Sequence, residues 1–268
     1  MDKPRMFEPY RAAPDIHVLP SYFPIPGFGI LPINAFVLMA AEPVLVDTGL
    51  TLLNDEFLPQ LSSVIDPENL RWLWLTHDDQ DHIGSLYRLL DEAPKLRVIT
   101  TFLALGKMGL SRPLPLDRVY LLNPGQSIDV GDRTLTAVRP PTYDAPETTG
   151  FYDLKSGAFF SADSFGALML EPVEDAAEIA PEDLRQGMVT WATADSPWLH
   201  LTDPARFAST LNRIRGFSPE VILSSHLPVA HGMTDTLLEH LATAPTADPF
   251  VGPDQPALEA MLRLLTAP

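Results

Sequence analysis

The chain has 268 residues, and its 18 Lys and Arg against 35 Asp and Glu give a net charge of −17. A charge this negative repels phosphate groups, so we expect neither a nucleic-acid partner nor binding to an anionic membrane surface. The absence of cysteine excludes disulfides, thiolate metal ligands, iron–sulfur clusters and a cysteine nucleophile.

The N-terminal part of the chain predicts strands with helices between them. Apolar runs separated by turn residues predict strands at 16–19, 33–39, 43–46 and 70–76, and helices at 52–64 and 85–91. The segment 20–32 holds four prolines and two glycines and is expected to be a loop. The run 70–76 is almost continuously apolar, which is typical of a strand covered on both faces.

The remainder of the chain continues this mixture of short elements. Apolar runs predict a strand at 97–101, two strands within 119–138, a hairpin over 151–161, a last strand at 219–223, and helices at 103–110, 204–215 and 234–244. The acidic stretch 172–190 is expected to be helical or irregular.

Strands fall into two blocks, 16–75 and 97–163, and helices follow each block. This arrangement predicts two sheets packed face to face with helices outside, which is an α/β fold in the form of a four-layered α/β/β/α sandwich. We assign residues 1–244 to this domain. Residues 245–268 are expected to form a proline-rich linker and a C-terminal helix.

The predicted C-terminal helix spans about 256–265 and carries an apolar stripe. This stripe could dock on its own domain, form a contact in a homodimer or cover a functional site, and the sequence leaves all three open. Its members are Ala257, Leu258, Met261, Leu262 and Leu265. No run of 18 apolar residues and no apolar leader is found, and together with the lack of cysteine this makes the cytoplasm the expected location.

The segment Thr76-His-Asp-Asp-Gln-Asp-His-Ile-Gly84 follows the apolar run 70–76 and concentrates ionisable groups. Two histidines and three aspartates within six residues repel one another and resist desolvation unless a cation neutralises them. In an extended loop His77, Asp79 and Asp81 point the same way, and His82 points to the other side. One loop can therefore serve two neighbouring metal ions, whereas the alternative is a solvated acidic loop with incidental histidines.

Four further residues stand at or just beyond apolar runs, where they can join this loop. They are Asp47, Asp144, Asp163 and His226. Each could alone be a cap or turn residue, and His231 competes with His226 as the C-terminal imidazole. We favour His226 because it follows the predicted strand at 219–223 closely.

These motifs, in this order, resemble the metallo-β-lactamase superfamily over about residues 16–232. Within it, the chain is most similar to the diiron β-lactamase-like domain of flavodiiron and oxygen-binding diiron proteins, which have an acid at the position of Asp79. The strings that carry the resemblance are Asp81-His-Ile-Gly-Ser-Leu86, Gly131-Asp-Arg-Thr-Leu135, Phe160-Ser-Ala-Asp-Ser-Phe-Gly166 and Ile222-Leu-Ser-Ser-His226.

The resemblance implies two metal ions and a set of ligands for each. One ion would be held by His77, Asp79 and the residue near 144, and the other by Asp81, His82 and His226. Asp163 would bridge the two ions, and Asp47 would orient the ligand loop without binding metal. Asp81 is also the candidate catalytic residue.

The chain departs from the family where a histidine ligand is usual, because no histidine lies between His82 and His200. Asp144 is the expected substitute, Tyr143 is the alternative, and Asp144 as an ordinary turn residue remains open. His200 could line the pocket or be an ordinary surface or core histidine.

Three functions are compatible with such a centre. The first is hydrolysis of an ester, thioester, lactone or phosphoester by a metal-bound hydroxide. The second is a diiron oxygen-binding or redox protein that resembles the flavodiiron domain without its flavodoxin module, and the third is a degenerate binding protein. The partner would be a small-molecule substrate or oxygen. Four carboxylates favour iron or manganese, and the imidazoles also suit zinc.

Overall fold

The computed structural model describes residues 3–266, with side chains through residue 263. One sheet in this range has eight strands in the order β1-β3-β4-β5-β6-β7-β8, and β2 pairs with β3 at its side. Its strands are β1 (Arg5–Met6), β2 (Tyr10–Ala13), β3 (Ile16–Ile25), β4 (Gly29–Leu38), β5 (Val44–Val46), β6 (Trp72–Trp74), β7 (Arg97–Thr100) and β8 (Val119–Leu121).

A second sheet of six strands, counted over the same residues, has the order β14-β13-β12-β11-β10-β9. Its strands are β9 (Ser127–Asp129), β10 (Thr134–Val138), β11 (Gly150–Asp153), β12 (Ala158–Phe160), β13 (Val221–Leu223) and β14 (Ala230–His231). The helices are α1 (Asn54–Val64), α2 (Leu86–Glu92), α3 (Phe102–Met108), α4 (Pro181–Asp195), α5 (Pro204–Phe217), α6 (Thr234–Ala242) and α7 (Gln255–Thr266).

The two sheets pack against each other, and their outer faces carry helices, as the sequence predicted. Side chains alternate along each strand, so Val46 and Trp74 lie in the core between the sheets. Leu45 and Leu73 point the other way, into an apolar cluster with α1 and α2. A third apolar cluster joins the outer face of the second sheet to α4, α5 and α6. These three apolar clusters define a four-layered α/β/β/α sandwich.

The expected loop at 20–32 is instead a long β-hairpin formed by β3 and β4. Prolines are tolerated there because Pro20, Pro24 and Pro32 all occupy the same alternating set of paired positions. Within this set, the N–H groups of Ile30 and Asn34 point away from β3, toward Met169 and Ser225. A proline at these positions therefore removes no hydrogen bond between the two strands.

The predicted division of the strands between the sheets is wrong for the start of the second block. β7 and β8 extend the first sheet in parallel with β6, and the second sheet begins only at Ser127. The region 119–138 accordingly holds three strands rather than two. The physical reason is that α2 and α3 serve as crossover helices, which parallel strands require.

The C-terminal region contains α7, close to the predicted bounds. Phe250, which precedes α7, lies 5.6 Å from Phe28 at the tip of the β3–β4 hairpin, measured between ring centroids. The side chain of Leu265 in the predicted stripe lies outside the described residues, and the division into 1–244 and 245–268 stays a prediction. No helix within residues 3–266 is long and apolar enough to span a bilayer.

Candidate metal centre

The candidate residues meet at one edge of the sandwich because the strands that carry them end there. β5 and β6 run parallel, so Asp47 and His77 follow neighbouring carboxyl ends. β12 and β13 also run parallel, and Asp163 and His226 lie shortly after their ends. The sheet topology thus brings together side chains that are up to 179 positions apart in the sequence.

Asp47 fixes the start of the 76–84 loop. The backbone of Asp47 lies in the left-handed region, with φ of 58°, which aspartate tolerates better than most residues. Its Oδ1 accepts a hydrogen bond from the Thr76 N–H at 2.8 Å, and its Oδ2 accepts from the Thr76 hydroxyl at 2.8 Å. The same Oδ2 lies 2.8 Å from Nδ1 of His82. Asp47 therefore orients both the backbone and an imidazole of the loop.

Gly84 allows this loop to pack backbone to backbone on the turn that follows Asp47. The N–H of Gly84 donates to the carbonyl of Gly49 at 2.9 Å. A Cβ at position 84 would stand 2.3 Å from the backbone nitrogen of Thr51 and 2.4 Å from the Gly49 oxygen. Only glycine fits this close approach, which explains the last residue of the motif.

Asn34 positions the turn that carries His226, and sequence reasoning missed this residue. The Nδ2 group of Asn34 donates to the carbonyls of Ser224 at 3.1 Å and Leu227 at 2.8 Å. The carbonyl of Pro32 lies 2.8 Å from Nδ1 of His226. The long hairpin of the first sheet thus holds a ligand loop of the second sheet. The signal in the sequence is a polar Asn within the apolar run 33–39.

Three buried imidazoles converge on the carboxylate of Asp163. The Nε2 atoms of His82 and His226 lie 3.1 and 3.2 Å from its Oδ1, and Nε2 of His77 lies 3.1 Å from its Oδ2. All four side chains are almost fully buried. Asp163 therefore stands between the residues predicted to hold the two ions, which is consistent with the predicted bridging position.

The hydrogen bonds of the three Nδ1 atoms determine which nitrogen faces the centre. His226 Nδ1 faces a carbonyl, which only accepts, and His82 Nδ1 faces the carboxylate of Asp47. The hydroxyl of Thr76 donates to Asp47, so it can accept from Nδ1 of His77 at 3.0 Å. Each imidazole therefore carries its proton on Nδ1 and directs the Nε2 lone pair inward, as metal-binding histidines do.

Two buried atoms at the centre lack hydrogen-bond partners among the described residues. These are Nε2 of His82 and Oδ1 of Asp163. A lone pair and a carboxylate oxygen that face each other need a proton or a metal ion between them. The residues present therefore fit a metal centre.

Without metal, protons on the three imidazoles neutralise the carboxylates of the centre. Burial would lower the pKa of His77, but the carboxylate of Asp163 outweighs burial and raises this pKa to about 9. The pKa values of His82 and His226 are also raised against the effect of burial, by the neighbouring carboxylates of Asp81 and Asp163. Conversely, burial would raise the pKa of Asp163, and the three imidazoles hold it well below its usual range.

Two groups of three side chains lie beside Asp163. In each group, the potential ligand atoms lie within 4.8 Å of one another. The first triad is His77, Asp79 and Asp144, and the second triad is Asp81, His82 and His226. These are the groupings expected from the sequence, and the assignment of each residue as a ligand stays a prediction. Because both triads border one carboxylate, two ions held there would be neighbours.

The sequence also raised Tyr143 as an alternative to Asp144, His200 as a possible pocket residue and His231 as a competitor of His226. The ring of Tyr143 packs beside Trp198, with 5.0 Å between ring centroids, whereas the carboxylate of Asp144 belongs to the first triad. His200 belongs to none of the ligand groups found among the described residues. His231 lies at the edge strand β14, bonded to Asp175 and to the carbonyl of Ala12.

Asp195, at the end of α4, is a carboxylate that sequence reasoning missed. Its carboxylate lies with those of Asp144 and Asp163, again within 4.8 Å. Burial and these two neighbouring charges raise the pKa of Asp195 to about 8. One turn earlier, the Trp191 indole donates to the Asp163 carbonyl at 3.2 Å. The spacing of Trp191 and Asp195, four residues apart on one helix face, was the available signal.

The described residues place no Lys or Arg in an ion pair with the carboxylates of the two triads, Asp163 or Asp195. Five aspartates and three imidazoles therefore share one pocket without a cationic side chain. Such an oxygen-rich set suits iron or manganese better than it suits zinc.

The chain is similar to a described family and to several known proteins. A family model described as "ODP family beta lactamase" matches residues 31–226. The Flavo-diiron protein FprA2 of Clostridium acetobutylicum is 29% identical over 143 residues, which are 52% of this chain and 35% of that protein. The anaerobic nitric oxide reductase flavorubredoxin of Salmonella typhi is 26% identical over 134 residues, 50% of this chain and 28% of that protein.

The fold is also that of a solved structure, rubredoxin oxygen:oxidoreductase from the anaerobe Desulfovibrio gigas. The TM-score is 0.74 at 18% sequence identity, and the match covers 91% of this chain and 63% of that one. The chain thus spans only about a third of the length of the two curated relatives.

Proposed function

Because the chain belongs to the ODP family beta lactamases, we propose that it holds a dinuclear iron centre with an oxidoreductase or gas-binding role. The observation that supports this most directly is the donor set, in which three imidazole nitrogens and an excess of carboxylates surround Asp163. The diatomic ligand would be dioxygen or nitric oxide, which the names of two of the similar proteins specify.

Each part of the site has a task in this proposal. His77, Asp79 and Asp144 would hold one ion, and Asp81, His82 and His226 would hold the other. Asp163 would contribute its carboxylate to both. When bound, the two iron ions would supply reversible electron transfer and open positions for a small ligand.

Hydrolysis, which the sequence placed first, has less support than the redox role. The relatives described above are named for diiron, nitric oxide or oxygen chemistry.

The experiment is to purify the full chain without oxygen and load it with iron, manganese or zinc in parallel. We expect two iron ions per chain and a change in visible absorption when nitric oxide or dioxygen is added. His226→Ala should lose metal, whereas His231→Ala is a matched control that removes an imidazole outside the site. Retention of zinc alone, with turnover of esters or lactones, would refute the proposal and support the hydrolase.

A further inference from the structure

We propose that Lys107 is a positioning residue for the first triad, because it ties together the two loops that carry His77, Asp79 and Asp144. This inference rests on the proposed metal centre. The Nζ atom of Lys107 lies 2.7 Å from Oδ1 of Asp78, which stands between His77 and Asp79 in the sequence. The same ammonium group pairs with Oε1 of Glu147, three residues after Asp144.

Glu147 is an unusual partner because its side chain is fully buried. Its Oε1 contacts Lys107, whereas its Oε2 has no hydrogen-bond partner among the described residues. A buried carboxylate is strongly unfavourable without a cation beside it, so the position of Glu147 depends on Lys107. The pair thereby fixes the 142–149 loop against α3.

The side chain that caps the N-terminus of α3 holds this loop at a second point. Thr101 precedes the helix, and its hydroxyl accepts the N–H of Ala104 at 3.2 Å while it donates to the carbonyl of Glu147 at 3.2 Å. Lys107 lies six residues further along the same helix. The N-terminus and the last turn of α3 therefore both contact the 142–149 loop.

The second triad is anchored independently of Lys107. His82 is held by Asp47, and His226 is held by the Pro32 carbonyl. Asp144, in contrast, is exposed, and its place beside His77 depends on the path of the 142–149 loop. Loss of the Lys107 bridge should therefore affect the first triad and leave the second intact.

The principal test is Lys107→Met combined with Glu147→Gln, which removes the bridge without leaving a buried charge unpaired. We expect the variant to release one of its two iron ions to a chelator roughly tenfold faster than the wild type, with the other ion unaffected. Lys107→Arg, made alone in the wild-type chain, preserves a cation of similar reach. This variant should release both ions as slowly as the wild type. Lys155→Met removes a lysine that pairs with Asp132 elsewhere and serves as the matched control.

Asp78→Asn provides a second test that does not depend on the buried pair. It keeps the shape of the side chain and removes only the charge that faces Lys107, so the same single ion should be released faster. Adding Asp144→Ala to Asp78→Asn should empty the first position and leave the second ion in place, because both substitutions act on the first triad. Adding His226→Ala should remove the remaining ion.

Release of both ions at wild-type rates in Asp78→Asn would overturn the proposed role of Lys107, whether or not the double variant folds. A wild-type chain that binds no pair of ions would instead refute the proposed metal centre. The two failures are therefore distinguishable by the metal content of the wild type.

Discussion

The imidazole of His82 and the carboxylate of Asp163 face each other at 3.1 Å between Nε2 and Oδ1, yet neither atom has a hydrogen-bond partner among the described residues. Both side chains are nearly fully buried. Two groups so placed are expected to share a proton in the metal-free protein and a metal ion in the loaded protein.

Asp163→Asn should abolish binding of both ions, because this carboxylate borders both triads. Asp81→Asn should remove only the ion of the second triad. The measurement is the metal content per chain after identical exposure to iron. We expect no bound ion in Asp163→Asn and one bound ion in Asp81→Asn. Two ions retained in Asp163→Asn would show that the carboxylate does not bridge.

Asp47→Asn should weaken metal affinity by only about 10–100-fold, as expected for a residue that orients a ligand from outside. The amide can still accept from Thr76 or His82 through one oxygen, but it loses the charge that holds the imidazole. Titration with metal against a competing chelator measures the change. A complete loss of metal would instead make Asp47 a direct ligand.

Asp144→His should supply the imidazole that is usual in the family and shift metal preference toward zinc. Asp144→Ala should empty the first position while Asp81, His82 and His226 retain the second ion. Asp195→Asn combined with Asp144→Ala tests whether the nearby carboxylate can substitute for Asp144. Metal content after parallel exposure to iron, manganese and zinc is the readout, and unchanged content and selectivity in all three variants would make Asp144 a turn residue.

Removal of the metal should lower the thermal stability of the protein. Binding to the folded state contributes about 2.7 kcal/mol at a free metal concentration 100 times the Kd. For a domain of this size, that corresponds to a fall in Tm of roughly 5–10 °C on chelation. Calorimetry before and after chelation, with metal loss verified, provides the measurement. An unchanged Tm would contradict the coupling of this site to folding.

The metal-free protein should lose stability as the pH rises above neutrality. Burial lowers the pKa of His77, but Asp163 outweighs this effect and raises it to about 9, above its ordinary value of 6.5. The stabilising pairing is therefore complete below about pH 6.5 and disappears as the pH rises through 9. Thermal unfolding between pH 6 and 10 tests this.

His231 needs a control in this experiment, because its pKa is also raised. Burial lowers this pKa, and the combined effects of Asp175 and the Ala12 carbonyl outweigh burial and raise it. The scan should therefore be made in a His231→Gln background. The metal-loaded protein should lack the His77 component, since Nε2 then carries no proton. A flat profile in the metal-free His231→Gln protein would contradict the prediction.

Local patterns in the sequence were sufficient to predict the sandwich and the centre of the site. The loop 77–82 concentrates five ionisable groups in six residues, and no tertiary information is needed to see that such a cluster requires a cation. The continuous apolar runs that contain Val44–Val46 and Trp72–Trp74 likewise indicate strands covered on both faces, and all six residues are buried.

Only the tertiary structure decided which residues support that cluster. The prolines of β3 and β4 are compatible with a hairpin because the strand register directs their missing N–H groups outward, and register is a property of pairing. Lys107 carries no local pattern that marks it, and the local signals at Asn34 and Asp195 do not say which residues they contact. Each acts on residues distant in the chain, and a contact between distant residues exists only after the sheets have packed.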